Sequence, residues 1–489
     1  MILCCLIGMS LAGCDDDPDP ADRPADVPPF QGVTLRIAIP KELNLPERWE
    51  IPLDEWGAQT GARYELIEYS QTGETKTAVF PDCDLAVFPL GELAAWRDQN
   101  RLASMPRELK DQLELNWLDV LPGLRAILTS SADEPFALPI SAPVLVCYYR
   151  RDLLEQAGFS PPKTWDDYEK LVNTRDRWAP NLTIEEPWHP HWRATMFLSR
   201  AASVVKHPGN IGILFDINDG LPLIDNPGYT RVLDEIVQGL AQRSPDVLKH
   251  TPTDCRNEML AGKAALAIGL ETLPQALAYP FGPETSGSAQ GTGRAKNIQI
   301  GISPLPGVAQ VYNQGVKDWE SLPDGKINAV SLTGFCGLGA GVAKNSDAKV
   351  EQAAWNLIGQ IAVAQLDNYF EQGARSICRE SDILNTPNWG GDDLSGEEQH
   401  DLARSIEVGF TDQQTVAELP VVGREEFRNA LNEGITAALE GESPPASSLA
   451  GVAAKWQELI DKLGADQVRD SYRQSLGLTP IKSQSKPTP

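Results

Sequence analysis

The stretch Glu134-Pro-Phe-Ala-Leu-Pro-Ile-Ser-Ala-Pro-Val-Leu-Val-Cys-Tyr-Tyr-Arg-Arg-Asp-Leu-Leu154, continuing Glu-Gln-Ala-Gly-Phe-Ser-Pro-Pro-Lys-Thr-Trp-Asp-Asp-Tyr-Glu-Lys-Leu171, decides how the chain divides. Phe136 to Ile140 and Val144 to Tyr149 read as short apolar strands. Pro139 and Pro143 cannot donate to a β-ladder, so they mark an edge strand and a crossing. Arg151 to Ala157 reads as a short helix stopped at Gly158. After Ser160-Pro161-Pro162, Thr164 is placed to cap a second helix, with Asp167 in the capping-box position. A strand, a proline-marked crossing, a strand, a helix, Pro-Pro and a helix describe a chain leaving one compact unit and entering another.

Length agrees, because 489 residues exceed what one ordinary core encloses. The 68 acidic against 42 basic residues give a net charge of −26. A surface of that sign repels phosphate backbones and anionic headgroups, so neither nucleic acid nor a membrane-surface helix is expected.

Met1 to Gly13 carry no charge and end in Leu11-Ala12-Gly13-Cys14, which matches the bacterial lipobox. Residues 1–13 are thus expected to be a signal peptide, with Cys14 lipidated. The run is shorter than the roughly 20 apolar residues that span a bilayer. Asp15 to Pro29 is acidic and proline-rich, so 14–30 reads as lipidated cysteine plus a semi-extended tether. The expected location is the periplasmic or cell-surface face of the cytoplasmic membrane, held by the lipid alone. Beyond Cys4, Cys5 and Cys14 remain Cys83, Cys147, Cys255, Cys336 and Cys378. This odd, widely spaced set without C-x-x-C suits neither a disulfide framework nor zinc, and buried free thiols are expected, with room for one bridge.

Strand-like Val33 to Ile39, helical Pro46 to Gly61, and strand-like Tyr64 to Tyr69 and Cys83 to Phe88 predict a mostly parallel sheet flanked by helices. The second unit is richer in helix: Trp192 to Val205, Arg231 to Gln242 and Thr253 to Leu260 carry apolar residues at helical spacing. Ala329 to Ala343 reads as a glycine-punctuated strand pair, followed by a helix opened by Asn345-Ser346-Asp347.

The opening stretch closely resembles the "LP…YY(N/R)(K/R)DLL…AG…PPKTWDE" segment of family 1 extracellular solute-binding proteins, the maltose-binding-protein-like receptors of ABC importers. Leu260-Ala-Gly-Lys-Ala-Ala-Leu-Ala-Ile-Gly269, Ile298 to Pro306 and the run from Glu425 through Gly441-Glu442-Ser443-Pro444 to Leu463 resemble further segments of that family in the family's order. The resemblance implies a type II α/β fold of two lobes, each a mostly parallel sheet flanked by helices, with a cleft between them. Lobe 1 is expected from 31–142 plus 329–385, and lobe 2 from 143–328 plus 386–478, leaving 479–489 as a tail. It further implies a monomer that captures a small polar solute, a sugar or oligosaccharide, and delivers it to ABC permease subunits, without cofactor or catalysis.

The family alignment also nominates ligand-facing residues. Glu186-Pro187-Trp188 resembles a Glu-Pro-Tyr segment in which an aromatic ring stacks on a sugar face and the carboxylate accepts hydroxyl hydrogen bonds. Phe88 falls at a sugar-stacking tryptophan, and Gly91-Glu92 replace an Asp-Arg pair beside it. Ser141, Glu271 and Phe335 fall in segments that face the cleft, whereas Pro143 replaces a ligand-contacting glutamate. Trp165 reads as a helix-entry anchor.

Against catalysis, the chain has no G-x-S-x-G, H-E-x-x-H or G-x-x-x-x-G-K-[ST]. Glu185 and Glu186, adjacent in a strand, point to opposite faces and would not converge on one glycosidic bond. A surface glycan-degrading enzyme acting through Glu186, or a sensor or scaffold that keeps the fold, are the competing readings. His189-Pro190-His191 lacks a third metal ligand. Gly337-x-Gly339-x-Gly341 lacks the third glycine position of a dinucleotide turn.

Overall fold

Alternation in Val33 to Ile39 produces β1 (Thr34–Pro40), and the side chains of Leu35, Ile37 and Ile39 are fully buried. In the computed structural model the residues described are 28–41, 46–70, 79–111, 115–129, 133–270, 293–344, 347–362, 377–384, 394–411 and 415–481. Along the first unit follow α1 (Pro46–Thr60), β2 (Arg63–Tyr69), β3 (Leu85–Pro89), α2 (Leu93–Asp98), α3 (Arg107–Lys110), α4 (Pro122–Leu128) and β4 (Leu138–Ser141). β1 pairs in parallel with β2 on one side and β3 on the other. Pro28 to Phe30, assigned by composition to the tether, already belong to this lobe. Phe30 donates to Thr60 O at 2.9 Å and its ring stacks on Trp56 at 6.5 Å.

The chain crosses at Ala142 to Val144 into lobe 2, where Pro143 falls between β4 and β5 (Leu145–Arg150). Next come α5 (Arg151–Ala157), α6 (Trp165–Asn173), α7 (Arg175–Trp178), β6 (Thr183–Glu185), α8 (Arg193–Val205), α9 (Pro227–Gly239), α10 (Pro252–Leu260), β7 (Ala264–Leu270), β8 (Ile300–Pro304), β9 (Gln310–Asn313) and β10 (Asp318–Ser321). Gly158 ends α5 at φ +72°, a left-handed conformation that favours glycine. The capping box forms: Asp167 N–H donates to Thr164 Oγ1 at 3.1 Å, and Thr164 N–H to Asp167 Oδ2 at 3.0 Å. In this sheet, ordered β6-β7-β5-β8, β6 runs parallel to β7 while β5 is antiparallel to β7 and β8, so only β5 is reversed.

The last part of the chain contains β11 (Leu332–Thr333), β12 (Leu338–Val342), α11 (Ala348–Ala362), α12 (Glu380–Leu384), α13 (Gly396–Thr411), β13 (Val416–Ala417), α14 (Arg424–Leu439), α15 (Pro445–Leu463) and α16 (Ala465–Ser475). β12 enters the first sheet antiparallel between β3 and β4, giving the order β2-β1-β3-β12-β4 with Pro139 on the edge strand. The strand pair expected within Ala329 to Ala343 does not form. β11 pairs instead with β13, because Gly337, at φ +92°, turns the chain away. A Cβ at Gly337 would stand 2.4 Å from Ser141 O. Leu332, Phe335 and Cys336 pack in the lobe 2 core, and Leu338 to Val342 join the first sheet beyond Gly337.

α13, expected in lobe 2, serves both lobes. Its Glu398 carboxylate accepts Ile300 N–H at 3.0 Å on β8, while Leu402, Ile406 and Phe410 join the core of β3 and α4. α14 and α15 complete lobe 2 around Phe215, whose ring stacks on Trp456 at 5.1 Å. Cys83, Cys147, Cys255, Cys336 and Cys378 are all free and buried.

Candidate functional site at the junction of the lobes

Where the lobes meet, lobe 1 presents a single 3-10 turn, Leu90–Glu92, directly after β3. Its Leu90 N–H donates to Gly337 O at 3.2 Å, which ties the turn to the returning chain. Lobe 2 presents the start of α8 and the segment Glu418 to Arg428. The Arg424 guanidinium lies directly on Gly91, where a Cβ would stand 2.7 Å from its Cζ and Nε.

Arg424 donates to Glu418 Oε2 at 2.6 Å and to Glu425 Oε1 at 2.5 Å. Arg428 Nε stands 3.3 Å from the same Glu418 oxygen, and Thr195 Oγ1 donates to the other. Glu418 is completely buried, and a carboxylate so placed requires these charged and hydroxyl partners. Glu92 faces this cluster from lobe 1. Burial raises its carboxyl to about 7; Arg424 opposes the rise, and Glu425 and Glu426 add to it. Beside the cluster, Trp192 meets Phe335 edge-on, centroids 5.9 Å apart at 72°.

Of the residues nominated by resemblance, Phe335 is at this junction, fully buried against Trp192. Ser141 lies at its edge, where its hydroxyl accepts Leu338 N–H at 3.0 Å. Phe88 is directed elsewhere: it is fully buried in β3 and packs on Trp96 at 4.8 Å, inside lobe 1. Glu186 and Trp188, expected to form a sugar-facing plate, are packed inside lobe 2. Trp188 is fully buried, and its indole N–H donates to Glu186 Oε2 at 2.8 Å, so the ring has no open face. The other oxygen of Glu186 accepts Arg243 Nε–H at 2.7 Å within lobe 2. Glu185 diverges from Glu186 as strand geometry requires and pairs with His250 Nδ1 at 2.7 Å. Glu271 and Cys14 lie outside the described residues.

Family alignment missed Glu418, Arg424 and Arg428. A signal for Arg424 was present, because arginine in the first turn of a helix opposes the macrodipole and needs another reason to be there. No three metal-ligating side chains converge among the described residues, and no described helix is long and apolar enough to cross a membrane. The rings of His189 and His191 stack on each other at 5.4 Å.

Two lobes, each a sheet with one reversed strand, joined by crossings that bring side chains of both lobes together, define a two-lobe solute-binding architecture. The chain belongs to the bacterial extracellular solute-binding protein family, whose model matches residues 81–358. Solved structures share the fold at low identity. Maltose-bound MalE3 of T. maritima superposes with a TM-score of 0.59 at 17% identity, covering 87% of this chain and 100% of the other. MalE of Xanthomonas citri, described as a sugar-binding protein, gives 0.63 at 16%, covering 88% and 98%. An ABC transporter solute-binding protein of Agrobacterium radiobacter, in complex with ribitol, gives 0.58 at 19%, covering 88% and 100%.

Proposed function

We propose that this protein captures a small, uncharged polyhydroxylated solute, a sugar, oligosaccharide or sugar alcohol, and delivers it to an ABC permease. The observation that carries this reading is the junction itself, where Gly91 and Glu92 of lobe 1 face Arg424, Glu418 and Arg428 of lobe 2. A solute held between the lobes beside this contact touches both of them and favours the state that gives it both sets of contacts. Structures of the same fold bind maltose and ribitol, which supports the solute class. Charge supports neutrality, since both arginines already engage Glu418 while Glu92, Glu425 and Glu426 stand close by. We assign the protein a receptor role without catalysis or cofactor, as a monomer anchored outside the cytoplasmic membrane through lipidated Cys14.

Thermal denaturation against a panel of neutral sugars and polyols, with amino acids and phosphorylated sugars as controls, tests the proposal. A binder at 100 times its Kd stabilises the fold by about 2.7 kcal/mol, a readily measured rise in Tm. A response confined to the charged controls would overturn it.

A further inference from the structure

We propose that the chain carries its own latch between the lobes, made by Arg424 seated on Gly91 and by α16 packed on α2, which draws the receptor shut and raises its solute affinity. The inference rests on the two-lobe reading and is independent of which solute is bound.

The two helices belong firmly to opposite lobes. In α2, Trp96 packs on Phe88 at 4.8 Å and on Phe80 at 4.9 Å within lobe 1. In α16, Tyr472 Oη accepts Ile213 N–H at 2.8 Å and Leu214 N–H at 3.1 Å, and its ring meets Phe215 at 5.4 Å, all in lobe 2. Between them, the buried Arg97 donates to Ser471 O at 3.3 Å while its Nε–H is held by Asp98 at 2.8 Å. Ser471 is a shared node, because its hydroxyl also accepts Val422 N–H at 3.0 Å, in the segment that delivers Gly423 and Arg424. The α16 contact and the Arg424 contact are therefore mechanically joined.

Gly91 lies in a 3-10 turn and is not among the positive-φ glycines, so its backbone would accept other residues. What the absent side chain provides is room for the Arg424 guanidinium. Gly91 and Arg97 fall within residues 81–358 matched by the family model, whereas Arg424 and Ser471 lie beyond them. All these contacts are protein to protein, so they favour closure whatever occupies the cleft. Apparent affinity scales with the fraction of molecules already competent to bind, and a latch that raises this fraction tightens binding without touching the solute.

The test is a distance measurement on the full chain without added solute, using spin labels at exposed Glu65 of lobe 1 and Gln238 of lobe 2, each changed to cysteine. Cys4, Cys5 and Cys14 are replaced by serine, and the other five thiols are buried. The expected result is one short distance in the solute-free parent and, in Gly91→Val and in Arg97→Ala, a second longer distance with the open-to-closed ratio raised roughly tenfold. Arg97→Gln, which keeps bulk at the interface, replaces Arg97→Ala if near-ultraviolet dichroism shows lost packing. A parent dominated by the long distance, or variants with the parent's distribution, would overturn the latch. Because no solute is present, either failure leaves the sugar reading to be judged on its own experiment.

Discussion

Arg243 donates through Nε to Glu186 at 2.7 Å, and their side chains are 1% and 2% exposed. The same guanidinium makes two hydrogen bonds to Glu169, at 2.7 and 3.2 Å, and one to Gly239 O at 3.1 Å. Burial alone would raise the Glu186 carboxyl, but Arg243 and Arg200 outweigh it and hold the group below its ordinary value. The residue singled out as a sugar contact is thus the anion of a buried network that fixes Trp188 and the lobe 2 core.

Removing one partner of that pair leaves a buried charge uncompensated. Arg243→Met is expected to lower stability by about 3–5 kcal/mol in urea denaturation. Glu186→Gln keeps an acceptor for Trp188 and should cost less. A carboxylate with a depressed pKa contributes stability above its ordinary value of about 4.5 that is lost as pH falls through the folded value. Wild type should therefore lose stability on acidification below that point more steeply than Glu186→Gln. Solute affinity in folded Glu186→Gln should match wild type; a loss with unchanged stability would return Glu186 to the binding site.

Glu92 gives a dependence of opposite sign. Its carboxyl in the packed junction is raised from 4.5 to about 7, so the charged form is the one disfavoured there. The penalty is absent below about 4.5, grows through the interval and is complete above about 7. The groups facing it are Arg424, Glu425 and Glu426, all on α14. Lowering pH from 7.5 to 5 should raise Tm more in wild type than in Glu92→Gln, and equal slopes in the two proteins would refute the argument.

Elements set by local chemistry were legible in the sequence, and sites set by tertiary pairing were not. Thr164 and Asp167 form their box three residues apart, and Gly158 stops its helix, because cap and stop are decided within one turn. The break between β4 and β5 at Pro143 was legible because proline states a backbone constraint directly. The surroundings of Trp188 were not legible, since an aromatic beside a carboxylate has one appearance in a cleft and in a core, and the Arg243 that holds Glu186 is distant in sequence. Arg424 meets Gly91 across most of the chain, and no window of sequence displays that pair. The split of Ala329 to Ala343 between two sheets likewise depends on a contact, Gly337 against Ser141 O, that periodicity does not encode.

Gly337 combines a left-handed backbone at φ +92° with backbone and Pro143 atoms closing over its Cα. Gly337→Ala should cost about 1–3 kcal/mol from conformation alone, with the steric contact adding to it. Because the residue lies where the chain passes between lobes, the variant should also weaken solute binding in molecules that fold. A variant with wild-type Tm would mean that the turn relaxes freely, and the proposed return point at Gly337 would fail with it.

The anchor is tested separately from the binding site. If Leu11-Ala12-Gly13-Cys14 is processed as a lipobox, the mature protein begins with an acylated cysteine followed by the acidic, proline-rich tether that leads to Pro28. Each buried CH₂ contributes roughly 0.8 kcal/mol, so several acyl chains hold the protein on a membrane through washing at high salt, whereas a purely electrostatic association is released. With a net charge of −26 over the whole sequence, the protein has no electrostatic attraction of its own for anionic lipid. Cys14→Ala should therefore move the protein wholly from the membrane fraction to the soluble one, with its Tm and solute affinity unchanged. Unaltered fractionation would show that something other than Cys14 holds it there.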